Sequence, residues 1–130
     1  MTPGARHLTI VVALLAASPV VAGIAAARRP ARTARASAVG IGAREFRFAI
    51  YRASVPAGRV SFNVTNYGED GHDLVVLDRR GRTLARSGEV RSGAQASVAV
   101  RLAPGTYRLR CDLADHARRG MHTTIRVTRR

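Results

Sequence analysis

Apolar residues recur at every second position in short runs through most of this chain, and that period confines it to β-structure. Phe46, Phe48 and Ile50 alternate with Arg47 and Ala49, the pattern of a strand with one face buried. The same alternation returns in Val60, Phe62 and Val64, in Val98, Val100 and Leu102, and in Tyr107, Leu109 and Cys111. Thr123, Ile125 and Val127 form a last run, and Leu74 to Leu77 is a short apolar stretch of strand length. Turn residues stand between these runs: Val55-Pro56-Ala57-Gly58, the polar Asn66 to Gly71, Asp78-Arg79-Arg80-Gly81 and Ala103-Pro104-Gly105. No long segment carries a helical period. Around seven or eight short strands from Ser37 onward predict an antiparallel sandwich or barrel.

At 130 residues the chain has room for one domain. Only six residues are aromatic and none is Trp, so the core has to be built from Val, Leu, Ile and Ala. A scaffold plus a substrate cleft would strain so short a chain, and the expectation is a protein that is not an enzyme. The formal net charge is +14, and all 22 basic residues are Arg. Nucleic-acid binding is not expected, because the arginines are spread over every segment and few aromatics are available for base stacking. The charge instead favours encounter with acidic proteins or with an anionic membrane surface.

Residues 1–27 have the layout of an export signal or membrane anchor. Arg6 precedes a charge-free stretch, Leu8 to Ala27, which ends in three small residues, Ala25-Ala26-Ala27. The stretch is just long enough to span a bilayer, so cleaved and anchored forms are both compatible with it. Residues 28–36, with Pro30 and four arginines, read as a solvated linker. The folded domain is expected over residues 37–130.

The chemistry is concentrated in Cys111-Asp-Leu-Ala-Asp-His116-Ala-Arg-Arg-Gly-Met121. A single thiol, an imidazole and a thioether stand at intervals of five in one loop between two strands. Each suits copper for its own reason. A thiolate is a soft ligand that stabilises Cu(I), a neutral imidazole serves both oxidation states, and a thioether is a weak ligand that favours the reduced ion. His72 closes the polar loop ahead of Leu74 and can supply the second imidazole from another strand end. Taken singly, each residue has a plainer reading: Cys111 and Met121 as core fillers, His116 and His72 as loop residues. Their joint spacing favours metal. His122 has the opposite strand phase and is expected at the surface, and His7 belongs to the export segment. Asp70, Asp73, Asp112 and Asp115 read as loop aspartates rather than acid–base pairs.

From about Ala38 to Val127 the sequence resembles the cupredoxins, the plastocyanin and azurin type of small copper protein. The resemblance rests on Phe46-Arg-Phe48, Val55-Pro-Ala-Gly58, Phe62-Asn-Val-Thr-Asn66, Gly71-His72, Ala103-Pro-Gly-Thr-Tyr107 and Cys-x4-His-x4-Met. It implies an all-β Greek-key β-sandwich with one copper ion, cycling between Cu(I) and Cu(II), at one end. It also implies His72, Cys111, His116 and Met121 as the metal ligands, with the Gly71 carbonyl nearby. The sequence departs from the pattern around these residues. Ala114 and Asp115 replace the Pro and Gly often found before the second histidine, and Asp73 replaces an Asn whose side chain pins the ligand loops. Thr123 stands where a Gly often follows the methionine, and the aromatic residues that crowd the site are missing.

The function expected from these residues is that of an exported, monomeric electron carrier. The edge of His116 would be its electron port, and Arg118 and Arg119 would orient an acidic redox partner. The rival is a copper-handling protein that stores or delivers the ion in the cell envelope. A further alternative is an interaction domain that has kept the fold and lost the metal.

Overall fold

The computed structural model describes residues 35–130; the export or anchor segment and most of the linker lie outside the described residues. Among the described residues nine strands form two sheets. The first contains β1 (Ser37–Arg44), β2 (Arg47–Ile50), β4 (Gly58–Asn66) and β7 (Gln95–Leu102), in the order β2-β1-β4-β7. The second contains β3 (Ser54–Pro56), β5 (Val75–Leu77), β6 (Thr83–Arg86), β8 (Gly105–Arg110) and β9 (His122–Thr128), in the order β3-β9-β8-β5-β6. Pairing is antiparallel apart from β1 with β4 and β3 with β9. The chain crosses repeatedly between the sheets, which makes the fold a Greek-key sandwich. Among the described residues no helix is long and apolar enough to cross a membrane.

The alternation read from the sequence sets the inner faces. Val60, Phe62 and Val64 of β4 are buried against Leu109 of β8 and Ile125 and Val127 of β9. Val39, Ile41 and Ala43 complete this core from β1, a strand whose alternation is obscured by Gly40 and Gly42. A Cβ on Gly40 would stand 2.7 Å from the ring of Tyr51, and one on Gly42 would stand 3.1 Å from its hydroxyl. The two glycines therefore let an aromatic ring lie flat where side chains would otherwise project. The edge strand β6 is largely exposed and so carries no apolar period.

The registers define two poles. One gathers the ends of β1, β4, β6 and β8 with the starts of β2, β5, β7 and β9. The segments 66–74 and 111–121 lie there. At the other are the starts of β1, β4 and β8, the turn 78–82 and the chain's last residues.

Candidate metal centre

His72 reaches the first pole through a rigid loop. Buried Asn66 donates from Nδ2 to the carbonyls of Asp70 (2.7 Å) and Val90 (2.9 Å), and its Oδ1 accepts the Gly68 N–H at 2.9 Å. His72 and Val90 then exchange backbone hydrogen bonds of 3.1 and 2.6 Å in an isolated bridge. A segment outside the named strands is thus held as firmly as a strand.

The loop 111–121 folds back on itself. Cys111 N–H donates to the Met121 carbonyl (3.1 Å), and Met121 N–H donates to the His116 carbonyl (2.9 Å). Ala114 at φ 46° and Gly120 at φ 109° make the reversals. Ala114 adopts a left-handed conformation at a cost that Gly would avoid. The main chain consequently ties Cys111, His116 and Met121 to one another, and Cys111 and Met121 are fully buried.

Three donor atoms converge. His72 Nδ1 lies 3.2 Å from His116 Nδ1, and Cys111 Sγ lies 3.6 Å from His116 Nδ1. All three groups are buried and present their donor atoms within 4.8 Å of one another. The spacing suits donors each about 2.0 Å (nitrogen) or about 2.3 Å (sulfur) from one ion. Burial pushes the Cys111 thiol above its ordinary range, and burial followed by the nearby His116 pushes His72 below its own. The apo protein therefore keeps a thiol and a neutral imidazole, and an entering cation would displace the thiol proton. His122 is exposed, as its phase required.

Two residues at this pole carry roles that the sequence reading did not give them. Glu45, in the β1–β2 turn, places Oε1 3.7 Å from His72 Nε2, a buried nitrogen with no hydrogen-bond partner among the described residues. The same oxygen accepts the N–H groups of Glu69 (2.5 Å) and Asp70 (3.1 Å). A Cβ at Gly68 would fall 2.1 Å from it, so the glycine keeps this carboxylate's place open. Phe46 has φ 63° and leaves the strand phase expected for it. Its ring meets His116 edge to face at 5.4 Å, and the Arg119 guanidinium stacks 3.4 Å from its centroid. The expectation of a site without aromatic cover is thereby corrected. His116, read as the loop's exposed port, is 7% exposed.

Asp73 stands where the cupredoxin pattern has a loop-pinning Asn, and it pins the loops as well: its Oδ1 accepts the Asp112 N–H at 2.6 Å and its Oδ2 pairs with Arg86 at 2.5 Å. Arg86 also binds Asp112 at 2.8 Å, and Arg110 completes the cluster. The Asp73 N–H points at Cys111 Sγ, 3.5 Å away. A carboxylate with its own guanidinium does the work of the amide.

Acid should weaken the metal-free protein in a set order. Hydrogen bonds from its own N–H and from the Asp70 and Glu69 N–H groups lower Glu45 to about 2, and the Arg110 guanidinium foremost lowers Asp112. A group whose pKa is depressed on folding contributes stability above its unfolded value and loses it as pH falls through the folded one. His72, also depressed, follows the same sign. Thermal melts should be flat between about pH 6.5 and the ordinary thiol range, and should fall at higher pH, where the buried Cys111 thiol resists ionisation. Toward acid they should decline first as His72 takes a proton and again as pH approaches the Glu45 value of about 2. Melting that improved toward acid would contradict this order.

The fold recurs in solved structures of auracyanins. Dithionite-reduced auracyanin from Roseiflexus castenholzii superposes with a TM-score of 0.63 at 17% identity, covering 72% of this chain and 98% of that one. Auracyanin B matches with a TM-score of 0.65 at 24% identity, over 72% and 89% of the two chains. Auracyanin A, described as a "blue" copper protein from Chloroflexus aurantiacus, matches at 0.64 and 17% identity, over 72% and all of its own length. No family model and no curated protein matches the sequence. The class is thus a two-sheet Greek-key sandwich with a His–Cys–His cluster at one pole. Within that class the fold is that of the cupredoxins.

Proposed function

We propose that this chain is an exported blue copper protein that carries single electrons. His72 Nδ1, Cys111 Sγ and His116 Nδ1 would hold one copper ion, with Met121 as a weaker fourth ligand. The observation that carries the reading is the convergence of the three donor atoms, one thiol and two imidazoles, in a buried pocket. Bound copper would supply a reversible Cu(II)/Cu(I) couple. The residues around it do the rest. Asn66 and Asp73 hold the ligand loops, which limits rearrangement between the two states. Phe46 restricts water at His116, while Arg118 and Arg119 on the rim favour an acidic redox partner whose affinity should fall as salt rises. The apolar stretch Leu8 to Ala27 supports export.

Loading the purified protein with one equivalent of Cu(II) and recording its visible spectrum tests the reading. Stoichiometric uptake with an intense blue band is the expected result. A colourless, rapidly exchanging site would favour copper handling, and no uptake would remove the metal reading altogether.

Glu45 should tune the site. An ionised carboxylate beside His72 Nε2 raises the imidazole's donor strength and favours the more highly charged oxidised ion. Glu45→Gln keeps an oxygen for the loop amides and removes the charge. Cupric affinity should fall about 10- to 100-fold, and the reduction potential should rise, as read by competition titration and voltammetry. Gly68→Ala, which displaces the same carboxylate without altering it, should move both in the same direction.

A further inference from the structure

We propose that the pole opposite the His–Cys–His cluster is a docking face for anionic phospholipid headgroups, which turns the cluster away from the membrane. This rests on the export-or-anchor reading of residues 1–27 and not on the copper reading.

Charge is divided unevenly between the poles. Of the chain's eight acidic residues, all but Asp78 lie around the cluster: Glu45 and Asp70 beside its histidines, Asp73 and Asp112 in the pin, and Glu69, Glu89 and Asp115 in the adjoining loops. Asp78 is itself occupied by Arg82 at 2.7 Å. Facing this lone carboxylate, the far pole exposes Arg59, Arg79, Arg80, Arg101, Arg129 and Arg130. Arg59 and Arg101 are direct cross-strand partners in the β4–β7 ladder. Like charges so placed repel and lower stability unless an anion stands between them. On the other sheet, Arg79, Arg80 and Arg82 line a groove of about 200 Å³ with Thr106 and Tyr107. Arg130 is fixed at the same pole by the Ala57 carbonyl, 2.8 Å from its Nε.

An extended anionic surface fits this arrangement better than a protein partner. The arginines belong to turns and strand ends of both sheets, so they form a rim and not a single pocket. The chain also enters β1 at this pole, since Ser37 pairs with Val60 near the start of β4. Ahead of Ser37 come the linker 28–36 and the charge-free stretch Leu8 to Ala27, which has bilayer length. Nine linker residues reach at most about 30 Å, which holds the pole at high effective concentration near any membrane the stretch enters. Each arginine near an anionic leaflet then contributes on the order of a fivefold change in occupancy.

Hydrogen exchange of the full chain on vesicles tests this whether or not the apolar stretch inserts. Vesicles of phosphatidylcholine are compared with vesicles in which about one-third of the lipid is phosphatidylglycerol, using metal-free and copper-treated protein. On anionic vesicles alone, exchange in the turns 78–82 and 103–105 should slow at least about threefold, while the loop 111–120 is unchanged. Raising salt to about 0.5 M should erase the difference. The combined Arg59→Glu, Arg79→Glu, Arg80→Glu and Arg101→Glu variant should erase it too. Reversing Arg44, Arg47, Arg91 and Arg118, which changes net charge equally at the cluster pole, should leave it in place. Equal slowing on both lipids, slowing centred on 111–120, or equal loss in the two variants would overturn the proposal. Copper loading that fails leaves the vesicle result standing, so the two readings fail separately.

Discussion

Cys111→Ala is expected to abolish stoichiometric cupric uptake and the visible band of the loaded protein, while the metal-free fold survives. The thiol is fully buried and stands 3.6 Å from His116 Nδ1 and 3.5 Å from the Asp73 N–H. Nothing else among the described residues can replace it, because the chain contains a single cysteine. Without the thiolate the pocket keeps two imidazoles and a thioether, a set with no negative charge and far weaker demand for Cu(II). Loss of one buried sulfur costs the fold only about 1 kcal/mol, the range of a small core truncation. Titration followed by visible absorption, with a thermal melt of the apo variant, separates the two effects. Unchanged uptake in the variant would mean that the three donors converge without holding an ion. Uptake lost together with the fold would leave His72→Ala as the cleaner probe.

The convergence of His72, Cys111 and His116 was legible because most of it is written locally. Three donors on one loop are fixed by spacing, and His72 declares itself by closing a polar loop before an apolar strand. What surrounds them was not legible, for two physical reasons. Phe46 sits in phase with Phe48 and Ile50, and only its positive φ in the β1–β2 turn takes it out of the strand and onto His116. Glu45, its neighbour, reads as one surface acid among several, and its role depends on the Gly68 gap, twenty-three residues away in the chain. Strand β1 was partly masked because Tyr51 fills the outer face where Gly40 and Gly42 have no side chains. Periodicity identifies what a residue faces only when each position carries a side chain.

Asp73 illustrates the same limit and supports the second large prediction. Asp stands here in place of Asn, and a bare carboxylate buried to 1% exposure would be costly. Arg86, thirteen residues on and on β6, removes that cost with a 2.5 Å ion pair, and Asp112 binds the same guanidinium. Asp73→Ala should therefore lose more than a side chain. It strands the Asp112 N–H, leaves Arg86 half-compensated and frees the Cys111 loop from the His72 segment. Breaking such a pair when one partner is partly exposed should cost about 2–3 kcal/mol, near the lower bound for buried pairs. That lowers the melting temperature by about 8–20 °C in a domain of this size. Cupric affinity should fall a further 10- to 100-fold, because the sulfur loses its fixed distance from the imidazoles. Asp73→Asn keeps an acceptor for Asp112 N–H and leaves Arg86 its second carboxylate, so about 1 kcal/mol is expected there. The ratio between the two variants is the informative quantity. If both destabilise alike, the charge on Asp73 is what holds the loops. If Asp73→Ala costs under about 0.5 kcal/mol, the range of an ordinary surface substitution, the loops are held by their backbones alone and the ion cluster is incidental.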